Sequence, residues 1–395
     1  MSETAATTRT FPRPTDTEVL VNLLLGPDEG VAPLRPAAGI GFEAALERAI
    51  LPALERPPCL VSFSGGRDSS AILAAATDVA RRHGLPDPVP AIMRFPAAPA
   101  SDETSWQDLV LSHLGIGEPA VIELADELDA LGPVATSLLR RHGVRWPGNA
   151  HMHVPILERA RGGSLLTGIG GDELLGTAAS RHVLLARRRA RPRRSDARPV
   201  AFAALPRPVR ERVWRRRSVP PHPWLTARGL DRAGRALARE EMSWPHRWDR
   251  SVAHWHRSRA YAGLDRALPT LAAEHDVVVT SPFLEPAVLA ELAAAGGPTG
   301  FPSRTAAMHE LFGRLLPAAL IARPTKAAFP GPLWGPSVRE FAAEWGGEGV
   351  DPRDVDVEAL RREWLADEPD FRTVLLLHAA WLHAGRREGE RRSSR

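Results

Sequence analysis

A chain of 395 residues, 44% hydrophobic and 25% charged, has the apolar content of one large globular domain or two ordinary ones. No run approaches the ~18–20 apolar residues of a membrane span, and the polar start "MSETAATTRTFPRPTD" lacks the apolar core of a signal peptide, so a cytoplasmic protein without membrane contact is expected. The single cysteine, Cys59, leaves no internal disulfide and no cysteine-based zinc site.

Residues 1–40 read as an N-terminal extension, mobile in part because of its polar, proline-bearing composition. From Gly41 to Leu54, "GFEAALERAILPAL", apolar residues recur at helical spacing. Pro57 and Pro58 stop that helix, and Cys59 to Phe63 is a short apolar run suited to a strand buried on both faces. Asp68 to His83 is alanine-rich and helical, closed by Gly84. Val89 to Phe95, "VPAIMRF", reads as a second strand. "SDETSWQDLVLSHLG" follows as a helix with Ser101 as its N-cap. Ala120 to Leu124 and Ser164 to Thr167 complete four predicted strands. Alternating strands and helices predict an α/β fold with a parallel sheet, whose ligands bind at the carboxyl ends of the strands. Two glycine-rich turns, Ser64 to Asp68 and Gly168 to Asp172, directly follow strands and are expected on that one edge.

The net charge of +4 hides a strong asymmetry: Arg181 to Arg217 holds fourteen arginines against Asp196 and Glu211. Prolines interrupt this stretch, so residues 181–222 are expected to be an inserted segment rather than one long helix. Two readings stay open, a solvated and disordered insertion or a surface for something acidic, such as a peptide or a nucleotide-bearing intermediate. Nucleic acid ranks last, because Trp214 is the only stacking ring close to the arginines. Residues 223–385 are mainly helical: Leu225 to Met242, Trp248 to Ala262, Pro286 to Ala295, Thr305 to Leu316, and a last apolar helix in "FRTVLLLHAAWLHAG". Residues 386–395 form a polar tail. "HMH" at His151 to His153 and "HWH" at His254 to His256 read as surface residues rather than metal ligands. Trp244, Trp248 and Trp255 read as a core-packing stripe.

The first turn, "SFSGGRDSS", has the chemistry of an anion cradle. Gly65 and Gly66 let the backbone turn tightly and bring its N–H groups close to phosphate oxygens. Ser64 and Ser69 add hydroxyl donors, and the following helix points its positive end at the anion. Asp68 would repel bare phosphate but suits a shared Mg²⁺. The loop lacks the G-K-[ST] of a Walker A motif. It resembles the S-G-G-x-D-S loop of the ATP pyrophosphatase superfamily, which implies a PP-loop sheet of the adenine nucleotide alpha-hydrolase-like type across residues 41–180.

"LLTGIGGDELLG" resembles the S-G-x-G-x-D-E-L-F-G segment of asparagine synthetase and its relatives. That resemblance implies phosphate contacts at Gly168 and Gly170, Mg²⁺ held by Asp68, Asp172 and Glu173, and ATP as the nucleotide. "SPFLEPAVLAEL" is similar to the family's P-F-L-D segment, with Glu285 in place of aspartate. "RTAAMHELFGRLLPAALIARPTKAAF" is similar to its K-x-x-L-R…L-P…R-x-K-x-x-F stretch, and Lys326, the only lysine in the chain, falls on the family's catalytic lysine. The implied reaction adenylates a carboxylate and passes it to an amine, with Lys326 stabilising the developing charge. A compact ammonium suits that task better than a broad guanidinium.

Two departures shape the expectation. Ser2 stands where the glutamine-dependent enzymes have a catalytic cysteine, and about forty residues precede the first family-like helix, so no glutaminase domain is expected and a separate glutaminase or peptide-delivery protein would be the partner. Ile169 replaces the family's S-G-E-G glutamate. A macrolactam-forming role resembling the lasso-peptide cyclases, and a non-catalytic ATP-binding partner, both stay open.

Overall fold

A computed structural model describes residues 11–96, 98, 101–175, 197–324 and 331–393. Five parallel strands form one sheet in the order β3-β2-β1-β4-β5. They are β1 (Cys59–Ser62), β2 (Val89–Arg94), β3 (Ala120–Glu123), β4 (Ser164–Leu166) and β5 (Val278–Thr280). Leu60 pairs with Val89 on one side and with Leu165 on the other, which puts β1 at the centre. From β1 the chain winds outward through β2 to β3, then returns to the other side of β1 and continues through β4 to β5. The order therefore reverses between β1 and β4, the point on such a sheet where ligands bind in the crevice beyond the carboxyl ends of the strands.

Side chains alternating along β1 divide the core in two. Cys59, Val61 and Phe63 join an apolar cluster with the helices Phe42–Leu54, Arg67–Arg82, Pro286–Gly296 and Arg304–Phe312. Leu60 faces the other way, into a cluster with Leu138, Ile156, Leu157 and Leu271. The Arg67–Arg82 helix is made of small residues because it is enclosed by its neighbours: Ala71, Ile72, Leu73 and Ala76 are fully buried. A third cluster joins Leu124 and Leu128 at the β3 edge to Trp224, Trp334, Trp345, Trp364 and Leu375. This third cluster is how the helical C-terminal portion docks onto the sheet.

Several boundaries differ from the sequence reading, each for a local reason. β5 was not expected, since three residues of "DVVVTSPF" give too short a run to mark a strand on their own. The expected helix Trp248–Ala262 is two helices, Trp248–His256 and Arg259–Ala273, because the Ser258 side chain caps the second by accepting from the Tyr261 N–H. The Thr104–Leu114 helix begins after Glu103, and Ser101 does not cap it. Residues 197–222, part of the inserted segment for which a disordered and an acid-binding reading both stay open, contain the helices Ala197–Ala204 and Arg207–Arg217, separated by Pro206. The arginines before residue 197 lie outside the described residues. Trp248 and Trp255 are buried as a core stripe requires, whereas Trp244 is among the exposed large apolar residues. His151 is buried rather than on the surface, as is His256. No helix among the described residues is long and apolar enough to cross a membrane.

Candidate active site

Both glycine-rich turns lie at the β1/β4 crevice, and they touch. The Ser64–Asp68 turn is braced from within: the Ser64 N–H donates to Ser69 Oγ at 3.2 Å, the Gly66 N–H to Ser64 Oγ at 3.3 Å, and Ser69 Oγ to the Gly66 carbonyl at 3.1 Å. The two serine hydroxyls therefore fix the shape of the loop. Gly65 has φ +80°, a left-handed conformation that glycine adopts without strain. Gly66 is the N-cap of the sixteen-residue Arg67–Arg82 helix, whose positive end faces the crevice.

The second turn packs against the first through its glycines. A Cβ on Gly171 would lie 2.4 Å from Asp68 Cγ, so only glycine lets the turns approach this closely. Gly168 lies against the Asp68–Ser69 peptide, and Gly170 sits on Phe283 and Leu284. The "SPFL" segment thus meets the second turn directly. Thr167 Oγ1 and Ser281 Oγ reinforce that junction with a hydrogen bond of 2.7 Å.

The contact between the turns brings Asp68 and Asp172 to opposite sides of one guanidinium. Arg304 opens the helix Arg304–Phe312. Its Nη2 donates to Asp68 Oδ2 at 2.5 Å and its Nη1 to Asp172 Oδ1. Burial pushes the Asp68 carboxyl above its ordinary range, against the pull of Arg304. Burial also opposes the charge on Arg304, yet the two aspartates hold its guanidinium above the usual value. Asp68 Oδ1 is buried and accepts no hydrogen bond from the described residues. Glu173 is exposed on the same single-turn helix as Asp172.

Two more arginines crowd the loop. Arg67 donates to Thr305 Oγ1 at 3.5 Å, and burial together with Arg304 lowers its affinity for its proton. Arg323 is almost wholly buried and holds Glu103 with both arms, at 2.5 and 2.7 Å. Its Nη1 also reaches the Gly65 carbonyl at 3.4 Å, and its guanidinium stacks 4.7 Å from the Trp106 ring. This pair ties the start of the "RPTK" segment to the phosphate-type loop. Removing one partner of such a buried pair leaves an uncompensated charge, which typically costs about 3–5 kcal/mol.

The geometry unites Ser64, Gly65, Gly66, Asp68, Ser69, Gly168, Gly170, Asp172 and Glu173 at one crevice. Lys326 lies outside the described residues. Sequence reasoning did not single out Arg67, Arg304 and Arg323, although all three lie inside the quoted motif stretches and that position was the signal that could have found them. A positive rim around two aspartates suits a polyanion that arrives with a cation. Among the described residues no three His, Cys, Asp or Glu side chains converge as a metal cage. Mg²⁺ typically takes one or two protein carboxylates and completes its shell with phosphates and water. The donor set fits that habit, and so does the unpartnered Asp68 Oδ1.

The sequence model of the asparagine synthase family matches residues 41–392. The chain belongs to that family. The match starts at the Phe42–Leu54 helix and takes in both turns and the helical portion that carries Arg304 and Arg323. Membership gives the general chemistry, an ATP-dependent, AMP-forming ligase of the asparagine synthetase type that makes amides. No curated protein matches the chain significantly.

Proposed function

We propose that this chain binds Mg-ATP across the β1/β4 crevice, adenylates a carboxylate with release of pyrophosphate, and transfers the acyl group to an amine with release of AMP. The observation that carries this reading is the pair Asp68 and Asp172, held on two abutting turns by the single guanidinium of Arg304. Without a cation between them the two carboxylates would repel one another, and Asp68 Oδ1 would be buried to no purpose.

In this reading Ser64, Gly65, Gly66 and Ser69 form the cradle for the β,γ-phosphates. Gly168 and Gly170 let the second turn approach them. Asp68 and Asp172, with Glu173 beside them, would hold Mg²⁺, which would supply positive charge to offset that of the phosphates. Arg67 and Arg304 face the same anion. A carboxylate oxygen attacks the α-phosphorus and pyrophosphate leaves. The amine then attacks the acyl carbon, loses a proton, and AMP departs. Lys326 stabilises the negative charge that develops at this centre. Arg323, three residues earlier in the chain, is fixed beside Gly65 and so starts the lysine-bearing segment at the loop.

Arg304 is then the cation that the metal must displace. Arg304→Gln is expected to tighten Mn²⁺ binding in the absence of nucleotide by about tenfold, or about 1.4 kcal/mol. Titration followed by the free Mn²⁺ paramagnetic signal reads this directly. Unchanged or weaker binding would remove Arg304 from that role.

For the substrates, aspartate and ammonia are the simplest pair. Mg-ATP, aspartate and ammonium are expected to give asparagine, AMP and pyrophosphate, with asparagine followed by mass. One observation favours a bulkier amine, such as a peptide amine closing a macrolactam. Ile169, where the family's glutamate would assist proton transfer from the amine, is partly buried and packs against two apolar clusters. Nucleotide binding without asparagine, together with AMP release on a peptide substrate, would select that second reading. Binding without turnover on any acid and amine would select a non-catalytic partner instead.

A further inference from the structure

The crevice makes no use of the arginine-rich insertion, whose described part builds an exposed face of mixed chemistry. The helix Arg207–Arg217 carries six arginines and a single acid, Glu211. Residues 210, 211 and 213–215 are half-buried and form its packed side. There Arg215 pairs with Asp231 on the helix Ala227–Ser243, and its Nε would lie 3.8 Å from a Cβ on Gly234. Arg207 Nε donates to Glu211 Oε1 at 3.0 Å, so the helix's own acid is already engaged.

The outward side is different. Val209, Arg212 and Arg216 are exposed and recur at spacings of three and four, so they share one stripe of the helix. Neither Arg212 nor Arg216 pairs with a carboxylate among the described residues. Val209 is 43% exposed, and Leu205, at the bend that joins this helix to Ala197–Ala204, is 36% exposed. On the neighbouring helix the arginines do find acids: Arg228 and Arg232 share Asp354, and Arg235 pairs with Asp231. Aliphatic side chains left in water beside unneutralised guanidinium groups mark an interaction surface.

We propose that this stripe docks an acidic peptide segment, whose carboxylates meet Arg212 and Arg216 while its apolar side chains cover Val209 and Leu205. Charge complementarity selects the occupant, since residues 181–217 hold fourteen arginines against two acids, a local balance of 14 − 2 = +12. A guanidinium fork matches a carboxylate with two parallel hydrogen bonds, and arginine clusters read acidic motifs in this way. Nucleic acid fits less well, because Trp214, the helix's one aromatic ring, lies on the packed side and offers no stacking platform. A bilayer also fits less well, because a membrane-surface helix needs a broad apolar face, whereas two of the three exposed stripe positions are arginine. In the chain the insertion begins just after the helix Gly171–Leu174 that carries Asp172. Docking itself involves none of the crevice residues, so it stands apart from the adenylation reading.

Fluorescence anisotropy of a labelled synthetic peptide of repeated Glu-Glu-Leu units, titrated with the full chain in the absence of nucleotide, tests this. Arg212→Glu combined with Arg216→Glu should weaken binding by about tenfold, and Val209→Ser should weaken it by about threefold. These side chains are exposed, so each variant should melt with the parent. Poly-L-glutamate should bind less tightly than the Glu-Glu-Leu peptide and should not respond to Val209→Ser. Unchanged affinity in the charge-reversed double variant would overturn the proposal. Equal binding of polyglutamate and the mixed peptide would do the same, by reducing the face to a diffuse positive field. Tighter binding of single-stranded oligothymidylate or of phosphatidylserine vesicles, lost in the double variant, would replace the peptide with nucleic acid or a membrane.

Discussion

Asp68→Asn should lower AMP release from Mg-ATP by about a thousandfold, a loss of about 4 kcal/mol of transition-state stabilisation, while leaving the melting temperature close to that of the parent. The substitution keeps size and shape, so the abutting Gly171 and Gly168 still fit. It also keeps an oxygen that can accept from Arg304. What it removes is the negative charge that would anchor Mg²⁺ between the turns. An asparagine oxygen is a weak ligand for a hard divalent ion, so Mn²⁺ binding should fall together with turnover. Asp68→Asn with AMP release within tenfold of the parent would take the metal bridge away from this aspartate.

Lys326→Ala should fail differently. Nucleotide and Mn²⁺ binding should stay within a few-fold of the parent, because the cradle, both aspartates, Arg67 and Arg304 remain. AMP formation should drop by about a thousandfold or more, because a charge aimed at the reacting centre acts mainly in the transition state. Lys326→Arg should not rescue it, since a planar fork does not substitute for a compact ammonium at a crowded centre. Equilibrium binding of a fluorescent ATP analogue, measured beside AMP release, separates this pattern from the Asp68→Asn pattern. A Lys326→Ala protein with ordinary turnover would end the assignment of that role.

The parts of this architecture that were legible in the sequence are those where one physical demand dominates. β1 is buried on both faces and so reads as a continuous apolar run, and the glycines after it and after β4 mark sharp turns. Those signals sufficed to place both turns at one sheet edge. β5 escaped because three residues carry too little pattern. The break at Ser258 escaped because helical periodicity runs through it, and only the capping side chain reveals the stop. The arginines of the site were illegible for a different reason. Arg304 and Arg323 lie in the quoted lysine-bearing stretch, but their roles come from the carboxylates they meet, and Asp68 and Glu103 lie more than two hundred residues away in the chain. Likewise the burial of Arg145 and His378 is a tertiary fact, since each sits in a segment that reads as ordinary helix or turn.

Oxygen transfer tests the proposed adenylation most directly. Mg-ATP and the acid substrate labelled with oxygen-18 in its carboxylate, aspartate in the first instance and a peptide acid next, should give AMP that carries one labelled oxygen for each amide formed, with unlabelled pyrophosphate. Unlabelled AMP, or ADP and phosphate in place of AMP and pyrophosphate, would contradict the adenylate and with it the reading of the Asp68–Asp172 crevice as an adenylating centre.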